Sequence, residues 1–452
     1  MYWLPLNLSY SILQTLIQLK SGALKGTKVL KLSEQLDCFP LEIFDLAETL
    51  EYLDLSSNRL SELPVDFGRL SKLKIFFASD NLFTRLPKVL GDCPLLDIVG
   101  FKSNQIETIH TSALNVNLRW LILTNNKIKE IPDAIGKCLR LQKLMLAGNL
   151  ITNLPESLSN CTQLGLLRIS ANKLSHLPKW LICMPSLAWL AYSGNAIQSG
   201  TIDNYVVEID PLSIQLDSLI GEGASGTIYK GVQNLDGVTT DVAVKLFKGD
   251  VTSDGYPEDE MKAFIASGKH DSIVGLLGRV NFNEDGKKAV VMELIPDEFY
   301  NLGRPPSLES CTRDIFDVDQ HLSLKQLFNV AQSIASVGDH LHKIGIVHGD
   351  LYAHNILVDA DGKTLFGDFG AASFYNINNA EEAKHLQKIE VKAYGYLLDD
   401  LLSICKTDDF ETAAHIRKLS IRCLSTDIEQ RPNFEEITKY LINLKLNLPL
   451  LL

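Results

Sequence analysis

His348 to Gly370 reads HGDLYAHNILVDADGKTLFGDFG, and this stretch decides what the second half of the chain is. An aspartate (Asp350), an asparagine five residues on (Asn355) and a second aspartate before Phe-Gly (Asp368) put a proton acceptor and two hard oxygen ligands into one short segment. Those are the groups that phosphoryl transfer needs. IVHGD and NILVD form a β-turn-β pattern, which predicts Asp350 and Asn355 on a tight loop and Asp368 at the next strand end. The rest of the chain must then supply a nucleotide site, a recognition surface, or both.

The chain has 452 residues, too many for one ordinary core. With 46% hydrophobic and 22% charged residues it has the composition of a globular protein, and no uninterrupted apolar run is long enough for a membrane span. The apolar N-terminus lacks a basic region and a small-residue cleavage pattern. It is read as an amphipathic capping helix with Leu13, Leu16, Ile17 and Leu19 on one side. The net charge of −12 is uneven: residues 1–210 carry 20 Lys+Arg against 19 Asp+Glu, and residues 211–452 carry 23 against 36. This acidity argues against nucleic acid or an anionic membrane as partner.

The first half repeats. Asn58, Asn81, Asn104, Asn126, Asn149, Asn172 and Asn195 recur at intervals of 23 residues with one of 22, inside seven copies of L-x-x-L-x-L-x-x-N-x-L. A degenerate copy around Leu30 and Leu32 has Gln35 in the asparagine slot. Each unit is a short strand and a return segment that cannot bury its own leucines, so the copies must stack, with the asparagines satisfying backbone groups at each turn. Cys93, Cys138 and Cys161 share one slot with Leu70 and Met184, which reads as a buried apolar position. Free thiols in a reducing, cytoplasmic setting are therefore expected rather than bridges or zinc.

The pattern resembles the leucine-rich repeats of intracellular proteins, and that resemblance implies a horseshoe with its strands on the concave face. The outward row there would be Tyr52, Ile75, Ile98, Trp120, Lys143, Leu166 and Trp189, six of the seven apolar or aromatic. This predicts a docking surface for a protein substrate or regulator. The alternative is that the second domain or the N-terminal helix covers the row.

The repeat breaks between Gln198 and Asp217, and the domain boundary is placed near Asp210: residues 1–209 as the repeat domain with its cap, 210–452 as the second domain. Beyond it, LIGEGASGTIYKG carries Gly221, Gly223 and Gly226, and V-A-V-K follows at Val242 to Lys245 on a β-type run. Glycines let backbone approach phosphates, and a lysine supplies a point charge for them. With these motifs in order before HGDLYAHN and DFG, residues 213–446 resemble eukaryotic-type protein kinases.

The resemblance implies a bilobal α+β domain after an α/β solenoid, using ATP and Mg²⁺. It makes Asp350 the catalytic base, Asn355 and Asp368 the metal ligands, and Lys245 the phosphate lysine paired with Glu260 in preference to Glu258. VVMEL would be the hinge, with Met292 as gatekeeper and the backbones of Glu293 and Ile295 meeting adenine between Ile220, Ile228, Ala243 and Leu357. Leu322 to His342 has helical spacing, and CLSTDIEQRPNFEEI with Arg431 resembles the family's last conserved region.

Three departures shape the expectation. Gly349 replaces the usual arginine, which makes control by activation-loop phosphorylation doubtful. EVKAYGYLLDDLL, from Glu390, resembles the large-lobe core helix and leaves only Ala371 to Ile389 for an activation segment without A-P-E. Tyr352 and His354 stand where lysine or arginine would mark the acceptor class, so serine/threonine is only the weaker default. H-G-D with Asn five residues on also resembles aminoglycoside- and choline-type phosphotransferases, and a catalytically inactive scaffold is the third reading. Residues 297–320 are read as an insertion beside the cleft, a solvated loop whose acids could receive a basic substrate.

Overall fold

The computed structural model describes residues 14–197, 206–223, 225–249, 251–282 and 287–447. Leu13 lies outside them, as do residues 198–205 of the predicted junction; of the capping helix, Leu16–Lys20 is present, closed by a capping box between Thr15 and Gln18. The described chain forms two compact units. One contains the repeats through residue 187 together with 195–197; the other contains residues 188–194 and everything from 206 onward.

In the first unit the repeat strands pair in parallel and in register, Val29 with Tyr52, then Ile75, Ile98, Trp120, Lys143 and Leu166. The degenerate copy is thus a true member. The asparagines explain the period. Asn81 Oδ1 accepts from Leu60 N–H at 2.8 Å while its Nδ2 donates to Leu55 O at 2.9 Å, both in the preceding copy. Asn126 does the same with Ile106 and Phe101, and Asn172 with Ile151 and Leu146. Each turn buries polar backbone groups that water cannot reach, so a side chain with one acceptor and two donors is required.

All eight cysteines are free. Cys93 and Cys161 are buried, and burial pushes their thiols up to about 12.

The expected docking row is not an exposed face. Tyr52 and Ile75 are half-buried, but Ile98, Lys143 and Leu166 are buried and Trp120 is 1% exposed. The Trp120 indole N–H points at Met145 Sδ, 3.4 Å away, and the Lys143 ammonium lies 4.5 Å from its ring centroid. Apolar content alone could not distinguish an interface from a covered row. Trp189 departs further, because it belongs to the second unit.

The second unit opens with an antiparallel sheet in the spatial order Ile214–Glu222, Gly226–Leu235, Val238–Phe247, Lys287–Glu293, Leu276–Phe282. The Val238–Phe247 strand alternates Val242 and Val244 into the sheet's core with Ile209, Val280 and Val291, which turns Ala243 and Lys245 to the other face. The Pro257–Ser267 helix packs beside it, and a helical part follows: Leu324–Lys343, Ala380–Ile404, Phe410–Cys423 and Phe434–Asn447.

Ala380–Ile404 is one helix of 25 residues, with Glu381 and Glu382 in its first turn. The core helix therefore begins ten residues before Glu390, and only residues 371–379 separate it from Asp-Phe-Gly. The Ala371 to Ile389 segment expected from sequence is mostly helix. The 297–320 insertion is also more anchored than a solvated loop. Asp314 is buried, accepting from Ala353 N–H, and Arg313 binds Asp399 at 3.0 Å and Asp400.

Candidate active site

The glycine loop turns between two strands, closed by Gly223 N–H donating to Gly226 O at 2.9 Å. A Cβ at Gly226 would sit 2.4 Å from Leu246 O, so strand contact forces glycine there. Gly221 is different, since a Cβ would meet Ile228 at an ordinary 3.7 Å. Ile220 is exposed at the loop's edge, and Ile228 is half-buried opposite Gly221. Ala243 is buried across from Met292, and Leu357 sits in the Ile356–Val358 strand. Glu293 N–H donates to Gly275 O at 2.8 Å, so only its carbonyl can address a base. Ile295 follows just beyond the strand end.

Lys245 Nζ is ion-paired with Glu260 Oε1, and Glu260 is only 4% exposed. Glu258 instead pairs with Lys288 at the surface, 2.6 Å away. Burial works against the charge on Lys245, yet the carboxylates of Glu260 and Asp368 hold its ammonium above the ordinary lysine value. Asp368 thus lies close enough for its charge to act on both members of the pair. It adopts φ +57° and its Oδ1 accepts from Gly370 N–H, while Phe369 is buried against Phe264 of the Glu260 helix, centroids 5.4 Å apart.

Asp350 and Asn355 sit on the loop between Ile346–Val347 and Ile356–Val358, though the two flanking strands pair with different partners, Ser373–Phe374 and Thr364–Phe366. Asn355 Nδ2 donates to Asp350 Oδ2 at 2.8 Å and to Asp350 O at 2.9 Å. With its nitrogen committed, the side-chain oxygen is the atom Asn355 can offer elsewhere.

Several residues that hold the loop escaped the sequence reading. His348 Nε2 meets Gly367 O at 3.0 Å, and its ring stacks on Phe366; burial lowers its pKa, so it stays neutral. Glu390 Oε1 accepts from Gly349 N–H at 2.9 Å, and its Oε2 lies 2.7 Å from His342 Nε2. Burial raises the Glu390 carboxyl, but the neighbouring histidines and the Gly349 N–H outweigh it and keep the pKa below its ordinary value. Asp314 Oδ1 lies 2.7 Å from His354 Nδ1.

Gly349 has φ +72°, and a Cβ there would fall 2.7 Å from both Ala371 O and Leu190 O. An arginine is excluded by both conformation and space. Arg431 is buried and donates to Ser425 O and Lys388 O, and burial lowers its pKa to about 10.

Residues 214–395 match the family model of protein tyrosine and serine/threonine kinases, and residues 49–70, 116–174 and 139–197 match leucine-rich-repeat models. The chain is thus a leucine-rich-repeat protein with a protein-kinase domain C-terminal to its repeats. It is 34% identical over 202 residues to fibroblast growth factor receptor 1 of Xenopus laevis, covering 40% of this chain and 24% of the receptor. A probable serine/threonine-protein kinase of Encephalitozoon cuniculi is 29% identical over 242 residues, 49% of this chain and 42% of that one. Leucine-rich repeat receptor-like protein kinase PXC1 of Arabidopsis thaliana is 28% identical over 214 residues, 43% and 30%. The chain therefore spans less than half the length of each of these relatives. No helix among the described residues is long and apolar enough to cross a membrane.

Proposed function

We propose that the second unit transfers the γ-phosphoryl group of ATP to a protein hydroxyl, serine or threonine in preference to tyrosine, and that the repeats bind a protein partner. The observation that carries this reading is the buried Lys245–Glu260 pair within the field of Asp368, beside a loop in which Asn355 fastens Asp350. In this reading Lys245 orients the phosphates, Asp350 orients the acceptor hydroxyl and takes its proton, and the backbones of Glu293 and Ile295 hold adenine beneath Ile220, Ile228, Ala243 and Met292, with Leu357 on the far side. Gly221, Gly223 and Gly226 cover the phosphates.

Two protein oxygens, from Asn355 and Asp368, suit Mg²⁺, which keeps waters and phosphate oxygens in its other positions. Bound there, the ion would neutralise charge between the β- and γ-phosphates. The serine/threonine preference draws support from the named activity of the Encephalitozoon relative. The eight free thiols support a cytoplasmic setting. Of the predicted row, Tyr52 and Ile75 are the members left half-exposed for a partner.

The test is labelled-phosphate transfer from Mg-ATP by the purified chain, on protein and small-molecule acceptors, beside Asp350→Asn and Asp368→Ala. Wild-type transfer to protein, reduced at least about a hundredfold in both variants, is the expected result. Transfer no faster than in the variants would leave a scaffold, and transfer only to small molecules would replace the substrate class.

A further inference from the structure

The loop from His348 to Asn355 is fastened at nearly every residue, and one fastener comes from well before the kinase match begins at residue 214. Trp189 occupies the strand slot of the seventh repeat copy, but it lies in the second unit. Its indole N–H donates to Leu351 O at 3.0 Å, the carbonyl immediately after Asp350. Its ring stacks on Tyr352, centroids 4.5 Å apart and planes within 5°, and on Tyr396 at 5.3 Å and 16°.

The same short segment makes two further approaches. Tyr192 N–H donates to Ser373 Oγ at 3.0 Å, just past Asp-Phe-Gly. Leu190 O stands 2.7 Å from where a Cβ of residue 349 would be. A tight void lined by Ala188, Leu190, Val347, Gly349 and Glu390 continues the contact.

Hydrophobic covering alone would be satisfied by phenylalanine at 189. What tryptophan adds is a donor, 2% exposed, aimed at the backbone beside the catalytic aspartate. On the other side of Asp350, Glu390 holds Gly349 N–H. The two anchors bracket Asp350, while the Tyr352 ring also meets His354 at a tilt of 32°, centroids 5.0 Å apart, and Asp314 holds His354.

We propose that Trp189 is a positioning residue for the phosphoryl-transfer site, acting through the Leu351 carbonyl and the Tyr352 ring to fix where Asp350 points. The segment 188–194 is then a working part of the kinase domain, although the family match leaves it out. This proposal rests on the functional reading above.

The decisive variants are Trp189→Phe, which keeps the stack and loses the donor, and Ser373→Ala, which removes the acceptor of Tyr192 N–H and leaves Trp189 in place. In the full chain, Trp189→Phe is expected to lower kcat about tenfold or more, since small displacements of a reacting group are costly. KM for ATP should stay within about twofold, because the Lys245–Glu260 pair is untouched. Hydrogen exchange at residues 350–355 should quicken about threefold to tenfold, the worth of one hydrogen bond. Ser373→Ala should speed exchange near residues 190–193 and 373, with a smaller fall in kcat.

A Trp189→Phe protein with wild-type kcat and wild-type loop exchange overturns the proposal. So does one in which kcat and ATP affinity fall together with the melting temperature, since that is general damage. If the wild type transfers phosphate to nothing, the functional reading fails by itself, and the loop-exchange comparison still decides whether Trp189 holds the loop.

Discussion

Replacing Gly349 by alanine adds one methyl group to the loop that carries Asp350, and the structure gives two separate costs for it. The residue has φ +72°, where an L side chain costs about 1–2 kcal/mol. The new Cβ would also lie 2.7 Å from two carbonyl oxygens, Ala371 O and Leu190 O, neither of which can swing aside like a side-chain tip. Relieving such overpacking costs about 1–3 kcal/mol. A total of about 2–5 kcal/mol is a large part of a domain's stability, and in a unit of this size it should lower the melting temperature by about 5–15 °C.

Gly237→Ala is the internal control, because Gly237 has φ +80° with nothing within 4 Å of its Cβ position. It should show the conformational cost alone. The assay is thermal unfolding of both variants in the full chain, with hydrogen exchange at residues 346–358 reporting local opening. If Gly349→Ala melts with Gly237→Ala, the steric argument is wrong. If it melts with wild type, the reading of the loop's backbone is wrong too.

Lys245→Met should leave Glu260 buried without its partner, costing about 3–5 kcal/mol and abolishing ATP binding in calorimetry; Glu258→Gln, which breaks only the exposed pair with Lys288, should change the melting temperature little. Trp120→Ala should destabilise the repeat unit by about 3–5 kcal/mol in urea unfolding, since the ring is buried, rather than merely weaken capture of a partner. Burial opposes the charge on His354, but Asp314, Asp350 and Asp368 hold its pKa above the ordinary value. Its contribution to stability is therefore complete below about pH 6.5 and lost as pH rises through the raised folded value. Loop exchange in wild type should quicken over that upper window and stay flat in His354→Gln.

The repeat was legible because its signal is periodic: an asparagine every 23 residues marks a backbone demand that recurs at every turn. The kinase motifs were legible because each is local. Glu260 could be preferred to Glu258 by spacing, and the ion pair supplies the physical reason. What could not be read depends on contacts between distant segments. Asp314 looked like one acid among several in an insertion, and nothing in its neighbourhood announces that Ala353 and His354 would bind it. Trp189 fitted its repeat slot so well that periodicity assigned its side chain to a docking row, whereas that side chain's partners, Leu351 and Tyr352, are 162 and more residues away. The early start of the Ala380–Ile404 helix was missed because the family pattern, rather than the continuous run of helix-forming residues, set the expected boundary.

The asparagine ladder also has a mechanical meaning. Because each asparagine clasps the turn of the copy before it, each copy pulled away at the C-terminal side unfastens only its immediate predecessor. Tension applied there should peel the repeats singly, like rungs let go in sequence. Each release would pay out one period of 23 residues, about 80 Å of contour length.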